Sequence, residues 1–201
     1  MAILATGFLM VGRRSLTALV RFYALQNVLL AGLAFALSEE GHLVFAGVVL
    51  LVLKGVLIPF FLLALLKRLA VSHEVESYLS IPLSLLFGGA LVAVGFRAGK
   101  AFALPGAALP EAVPVAISLI LLGMLSMATR KKAVTQVLGF LALENGVFLL
   151  ALSETQGLPL FIEIGVALDA FAAVVLAGIL IRRIKQIFGH LDTARMQELK
   201  G

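Results

Sequence analysis

Long apolar stretches follow one another along almost the whole of this chain. A transmembrane helix needs roughly 20 predominantly apolar residues. Apolar stretches, of which the first is shorter than this, lie near Met1–Val11, Leu16–Leu37, Leu43–Leu66, Tyr78–Phe96, Val113–Thr129, Ala133–Leu152 and Leu158–Ile181. The sequence therefore predicts an all-α integral membrane protein with about seven transmembrane helices, of which the first is short.

The composition leaves little room for anything but this membrane domain. Hydrophobic residues make up 62% of the 201 residues and charged residues 13%, whereas a soluble domain is about a quarter charged. We expect one membrane domain over residues 1–187 and a cytoplasmic tail over residues 188–201. The absence of cysteine excludes disulfides, cysteine-ligated zinc and protein-bound iron–sulfur clusters. Because the histidines are dispersed over loops and the tail, we expect no metal or cofactor site in this chain.

Basic residues are clustered in alternate connections between the predicted spans. All four clusters fall on one side if there are seven spans, and the positive-inside rule places that side in the cytoplasm. The N-terminus is then outside and the C-terminus inside. We interpret the net charge of +5 as loop charge and expect no nucleic-acid partner. The clusters are Arg13, Arg14 and Arg21; Lys67 and Arg68; Arg130, Lys131 and Lys132; and Arg182, Arg183 and Lys185.

Two segments of the chain resemble each other without a gap. Residues 13–27 read RRSLTALVRFYALQN, and residues 131–145 read KKAVTQVLGFLALEN. The similarity predicts two three-helix repeats, about 1–68 and about 113–183, separated by a spacer helix at about 78–97. Because four spans separate equivalent helices, the two repeats point the same way. The alternative is chance similarity between leucine-rich helices.

Four ionisable side chains fall at membrane depth, away from the clusters at the ends of the predicted spans, and they are Lys54, Glu144, Glu163 and Asp169. A charged group at this depth costs at least ~2.5–3.5 kcal/mol, so it needs a partner or a function. A low dielectric disfavours the charged form, so that a buried carboxyl group can hold a proton and release it when a nearby charge changes. The pattern predicts a proton or Na⁺ relay. The alternatives are a Lys54–carboxylate pair that only joins helices, and a Glu163 that faces the outer headgroups.

Three uncharged polar residues are expected to support this relay, and they are Gln26, Asn27 and Asn145. When the two repeats are aligned, Gln26 occupies the position of Glu144, and Asn27 that of Asn145. Lys54 falls about one residue from the position of Asp169. The second repeat is therefore acidic at depths where the first is neutral or basic.

A proline is expected to break the helix beside the buried lysine. Pro59 has no N–H and therefore leaves the carbonyl group of Gly55, four residues earlier, without its helical partner. A break at this point would admit water to Lys54. An ordinary packing kink is the alternative, since prolines are tolerated in membrane helices.

Nearly the whole chain resembles component E of hydrogenase-4-type membrane complexes. The most similar runs are LALENGVFLLALS at 141–153, LPLFIEIGVALDAF at 158–171 and GHLDTARMQELKG at 189–201. The C-terminal half also resembles, more weakly, the K subunit of respiratory complex I, whose second and third helices each carry a membrane-embedded glutamate. Glu144 and Glu163 match these two positions in order. The resemblance implies a place on the polar axis of a membrane arm.

The resemblance also implies partners and cofactors. The expected partners are antiporter-like membrane subunits, an H-subunit-like membrane anchor, and a hydrogenase peripheral arm that carries a nickel–iron centre and iron–sulfur clusters. This chain would be a non-redox subunit of a formate-hydrogenlyase-like complex, embedded in the lipid of a prokaryotic cytoplasmic membrane. Two alternatives stay open, namely a subunit of a multi-component cation/proton antiporter and a free-standing small-solute transporter.

Overall fold

The computed structural model describes residues 1–37, 44–45, 47–48, 50–68, 75–102 and 109–154. The predicted seventh span, which contains Glu163 and Asp169, and the predicted tail lie outside these residues. The helices in chain order are α1 (Ala2–Gly12), α2 (Leu16–Ala36), a π-helical segment (Leu50–Leu57) that leads directly into α3 (Ile58–Arg68), α4 (Ile81–Phe102), a short 3-10 helix (Pro110–Ala112), α5 (Val113–Thr129) and α6 (Ala133–Glu154).

Several of these helices have the length and composition of membrane spans. The four that are long and apolar enough to cross a membrane are Leu16–Ala36, Ile81–Phe102, Pro110–Thr129 and Val134–Ser153. Two further apolar helices, Ala2–Gly12 and Leu50–Ala64, are shorter. The described part of the chain contains helices and no strand, so the predicted all-helical class is confirmed, with four candidate membrane spans. The number of about seven spans and their orientation stay predictions.

Helices begin where the sequence supplies a cap or a proline. Ser15 is extended, and its Oγ accepts a hydrogen bond from the backbone N of Ala18 at 3.4 Å, which starts α2 immediately after α1 has ended. Pro114 lies in the first turn of α5, where a missing N–H interrupts no helical hydrogen bond. Such ends matter in a bilayer because backbone groups there have no water to bond.

Glycines allow α5 to pack closely against α4 on one side and α6 on the other. A methyl group added to Gly95 of α4 would collide with Ser118 of α5. One added to Gly123 of α5 would lie 2.7 Å from the backbone N of Leu143 in α6. Small residues at such contacts let helix backbones approach, and close packing is a main source of helix association in membranes. These three helices therefore form a tight unit, against which α1 also packs.

Three connecting segments are hydrogen-bonded to one another at one end of the bundle. The bonds run from Val75 N to Arg14 O (2.6 Å), from Tyr78 N to Thr129 O (2.9 Å) and from Lys131 N to Glu76 O (3.1 Å). Because α2, α4 and α6 all begin at this end, they run in the same direction. The two basic clusters around Arg14 and Lys131 share this end, as the predicted alternation of charge requires. The side of the membrane on which it lies stays a prediction, as do the repeats.

Candidate functional site

A lysine and a glutamate from distant parts of the chain meet inside the helix bundle. The Nζ of Lys54 lies 3.4 Å from Oε2 of Glu144, which follows 90 residues later. Each side chain is only 3% exposed. Burial of two charges carries a desolvation cost of several kcal/mol for each ion, and their mutual attraction offsets it. Of the four ionisable residues singled out in the sequence, the structure brings these two together.

Lys54 lies in a π-helical segment and not in a regular α-helix. The segment runs from Leu50 to Leu57, and α3 follows at Ile58. Pro59 cannot donate a hydrogen bond to Gly55 O, so α-helical bonding is interrupted here. π-Helical turns are rare and are frequently found at functional sites. The break predicted between Gly55 and Pro59 falls where the helix geometry changes, whereas water access to Lys54 stays a prediction.

Buried amides, one of which directly follows Glu144 in sequence, accompany the Lys54–Glu144 pair, and we call the pair and these amides together the polar centre. Asn145 Nδ2 donates to Oε1 of Gln26 at 2.9 Å, and both side chains are fully buried. Gln26 Nε2 in turn donates to the backbone oxygen of Ile3 at 3.4 Å. Because Asn145 directly follows Glu144 in α6, successive residues of one helix bond to α2 and to the π-helical segment. The polar centre thus joins α1, α2, α6 and the π-helical segment.

Two amide oxygens in this centre are buried without a hydrogen-bond donor from the described part of the chain. They are the Oδ1 atoms of Asn27 and Asn145. The Nδ2 of Asn27 donates to Tyr23 O at 2.8 Å, within α2. A buried acceptor that stays unsatisfied costs about 1–3 kcal/mol. Both oxygens are therefore strong acceptors for a donor supplied by the remaining chain, by a partner subunit or by water.

Apolar clusters lie on either side of the polar centre along the bundle. One contains Tyr23 of α2 and Leu141 of α6, which precede Gln26 and Glu144 by about one turn. The other contains Leu30 of α2 and Leu149 of α6, which follow by about one turn. Because apolar side chains enclose the polar centre, its local dielectric constant is low, which strengthens the interactions between charges within it.

The sequence did not single out Arg130, which the structure shows to be buried. Its side chain is 5% exposed and donates to three backbone oxygens in and just after the last turn of α1. The bonds run from the two terminal nitrogens to Arg13 O (3.3 Å), Met10 O (3.1 Å) and Val11 O (2.7 Å). Burial lowers the pKa of Arg130 from its ordinary value. An arginine nevertheless stays charged, so it also complements the negative end of the α1 dipole.

The nickel–iron centre and iron–sulfur clusters expected in partner subunits stay a prediction. Within the described ranges of this chain, no group of three or more histidine, aspartate or glutamate side chains is placed to hold a metal ion. Glu163 and Asp169 lie outside the described residues, so their roles in the relay stay predictions.

Comparison with known proteins finds a relative that matches nearly the whole chain and several relatives that match a little less than half of it. The uncharacterized protein Rv0085 of Mycobacterium tuberculosis is 33% identical over 198 residues, which are 96% of this chain and 90% of that protein. Component E of hydrogenase-4 from Escherichia coli K12 is 34% identical over 93 residues, which are 46% of this chain and 43% of that protein. The same figures hold for component E from Shigella flexneri.

The matched region therefore spans less than half of the hydrogenase-4 components. It confirms the predicted relationship to component E, whereas the similarity to the K subunit of complex I stays a prediction. No protein-family model matches this chain, and neither does any solved structure. On the strength of the match over nearly the full length of both chains, the protein belongs to the same family as Rv0085, and part of it is related to component E of hydrogenase-4.

Proposed function

We propose that this protein is a membrane subunit of a hydrogenase-4-type complex that couples electron transfer in partner subunits to the translocation of protons or Na⁺. The observation that carries the proposal is the contact between Lys54 and Glu144 inside the bundle, 3.4 Å from Nζ to Oε2. The apolar helices and the relationship to component E support membership of a hydrogenase membrane complex.

In the proposed relay, one proton moves between Nζ of Lys54 and Oε2 of Glu144, which lie 3.4 Å apart. Transfer of the proton from Nζ to Oε2 converts the ion pair into a neutral amine and a carboxylic acid. Inside a protein, desolvation of the two charges offsets part of their attraction, which disfavours the ion pair relative to the neutral form. A further unit charge about 8 Å away contributes about 2 kcal/mol at an effective dielectric constant of about 20. Such a charge would shift the balance between the two forms.

The rest of the relay is assigned from the sequence. Glu163 and Asp169 of the predicted seventh span would continue the path beyond Glu144. The buried Oδ1 atoms of Asn27 and Asn145 would accept hydrogen bonds from water along it. The Gly55 carbonyl, left by Pro59, would provide the entry for water beside Lys54. Electron transfer itself would take place at nickel–iron and iron–sulfur centres in partner subunits.

The partners proposed for this subunit are antiporter-like membrane subunits, an H-subunit-like anchor and a hydrogenase peripheral arm, all at a prokaryotic cytoplasmic membrane. Gentle purification of the tagged native chain, followed by mass spectrometry, tests this setting. Recovery with a hydrogenase module supports it. Recovery with antiporter subunits and no redox module would point to a cation/proton antiporter. A chain that is recovered alone and is active in liposomes would be a free-standing transporter.

The variant Glu144→Gln tests the relay, because glutamine keeps the size of the side chain and cannot carry a proton. We expect the complex to assemble in normal amount and to oxidise or evolve hydrogen without moving protons, as measured by a pH-sensitive dye in inverted membrane vesicles. Glu111→Gln removes an exposed carboxylate and is the matched control, which should pump normally. Loss of assembly together with pumping would show that the pair only joins helices.

A further inference from the structure

A cavity of about 250 Å³ lies at the end of the bundle where the three connecting segments meet. Its wall is formed by the α1–α2 connection, the segment before α4 and the α5–α6 connection. The charged side chains that line it are Arg13, Arg14, Glu76, Arg130 and Lys131, and two serines, Ser77 and Ser84, line it as well. Four of the charged side chains are basic and one is acidic, which leaves a formal net charge of +3 on a site that does not include the Lys54–Glu144 pair.

One of the four cations is fixed in the wall of the cavity. Three of the five N–H donors of the Arg130 guanidinium are used by backbone oxygens of α1 and the residue that follows it. The other two have no hydrogen-bond acceptor within the described ranges. A guanidinium that is held rigidly by its own helix contacts presents its charge to the cavity without any loss of side-chain freedom on binding.

The cations at the rim are held by aromatic rings. The guanidinium carbon of Arg13 lies 5.7 Å from the centre of the Phe22 ring, and Lys131 Nζ lies 4.9 Å from the centre of the Tyr78 ring. Contacts of this kind are attractive through the ring quadrupole. Arg14 is also exposed at the same place, so that the cavity has four cations around a common space.

An apolar surface begins at this cavity and runs away from it along α4. Leu79 and Ile81 line the cavity itself. Further along the helix, Leu83, Leu86 and Phe87 are exposed. A free inorganic ion would use the charges but not this surface, whereas a lipid would use both. Basic pockets between membrane helices are suited to lipid headgroups that carry a phosphate.

From the charge and the adjoining apolar surface together, we propose that this cavity binds the phosphodiester of an anionic membrane lipid, whose acyl chains lie along α4. The site is independent of the proposed proton relay. It lies at the end that the charge distribution assigns to the cytoplasm, where such a lipid would join the three connections that it touches. Removal of the lipid should therefore loosen the connections without changing the Lys54–Glu144 contact.

The test measures thermal unfolding of the purified, delipidated full chain in detergent as phosphatidylglycerol, phosphatidylcholine or inorganic phosphate is added. Phosphatidylglycerol should raise the unfolding midpoint of the natural sequence, and the other two should not. In Arg14→Gln/Lys131→Gln, which changes two exposed cavity residues, the apparent Kd should rise roughly 30-fold. The matched control Arg97→Gln/Lys100→Gln removes two exposed charges toward the other end of α4 and should keep the natural affinity.

Four outcomes would overturn the proposal. Equal stabilisation by inorganic phosphate would show a site for a free anion, and equal stabilisation by phosphatidylcholine would show a general lipid effect. Equal loss of affinity in both double variants would show nonspecific electrostatic attraction. If the cavity variant keeps its affinity for phosphatidylglycerol but loses a partner subunit from the native complex, an acidic protein segment occupies the cavity.

Discussion

Lys54 and Glu144 face each other with Nζ and Oε2 3.4 Å apart, although 90 residues separate them in the chain. One lies in a π-helical segment and the other in the regular helix α6. The contact therefore depends on the relative position of two helices that the sequence does not join directly. Loss of one partner leaves a buried charge without its counter-charge, whereas loss of both leaves only an apolar contact.

The first prediction follows from this asymmetry and concerns stability. Lys54→Met should lower the free energy of unfolding by about 3–5 kcal/mol, because the Glu144 carboxylate then stays buried without its counter-charge. The double variant Lys54→Met/Glu144→Met should recover most of that loss. Denaturant unfolding in detergent measures both. Lys100→Met, at an exposed position of α4, is the control. A Lys54→Met variant as stable as this control would show that the pair does not stabilise the bundle.

Exchanging the two charges separates a relay from a structural pair. Lys54→Glu/Glu144→Lys keeps one cation and one anion in contact, so the complex should assemble. The carboxyl group then lies in the π-helical segment and no longer in α6, where Glu163 and Asp169 are proposed to continue the path. We expect assembly of the native complex above half of its normal amount and proton pumping in vesicles reduced at least tenfold. Normal pumping would show that the order of the groups along the path is unimportant.

Some of this site could be predicted from the sequence and some could not. Glu144, Lys54, Gln26 and Asn145 are conspicuous because polar residues are rare in membrane spans, and all four prove to be buried. The contact between Lys54 and Glu144 could not be predicted from the sequence in the same way. The sequence offered three carboxylates as possible partners of the lysine, and the choice depends on how α6 and the π-helical segment pack.

Two further features depend on local geometry that residue types alone do not determine. Pro59 indicated an interruption of the helix. A kink, a water-filled break and a π-helical segment are all compatible with the loss of one helical hydrogen bond. Arg130 belongs to a run of three basic residues, and charge alone does not show which of the three side chains turns back into the bundle. The planar fork of arginine, which matches several carbonyl groups at once, is the only local signal that favours it over the lysines.

The hydrogen bond between Asn145 and Gln26 should make a small, measurable contribution to stability. Interhelical hydrogen bonds in membranes average about 0.6 kcal/mol and reach about 1.7 kcal/mol in double-mutant cycles. We expect Gln26→Leu and Asn145→Leu to be coupled by an energy in this range. The losses of unfolding free energy in the two single variants should therefore sum to more than the loss in the double variant. Unfolding of the four proteins in the cycle gives the value. An energy indistinguishable from zero would mean that the bond is exchanged for others in each variant.

Two glycines of α4 differ in what surrounds them and form a matched pair. A methyl group on Gly95 would collide with Ser118, whereas one on Gly89 would meet nothing within 4 Å. Gly95→Ala should therefore push α4 and α5 apart and lower the free energy of unfolding by about 1–3 kcal/mol. Gly89→Ala should leave it unchanged or raise it by up to about 1 kcal/mol, since alanine is the better helix former. Equal effects at the two positions would contradict the close approach of these helices.

Arg130 fastens the end of α1 to the α5–α6 connection, and the last prediction tests that role. Arg130→Lys keeps the charge but replaces a planar fork with a single ammonium group, which cannot follow the three carbonyl groups of Met10, Val11 and Arg13 in the same geometry. We expect a loss of about 1–3 kcal/mol in the free energy of unfolding, since each unpaired buried carbonyl group is costly. Arg130→Met should cost more, because it also removes the charge at the end of the helix dipole.

The same variants should loosen α1 specifically. Hydrogen exchange of the α1 amides should become faster in Arg130→Lys than in the natural protein, while exchange in α5 and α6 stays slow. The matched control is Arg97→Lys, the same substitution at an exposed site, which should alter neither stability nor exchange. If exchange accelerates in every helix together, Arg130 contributes to the bundle as a whole. If α1 is unaffected, its packing against α2, α4 and α5 holds it without the arginine.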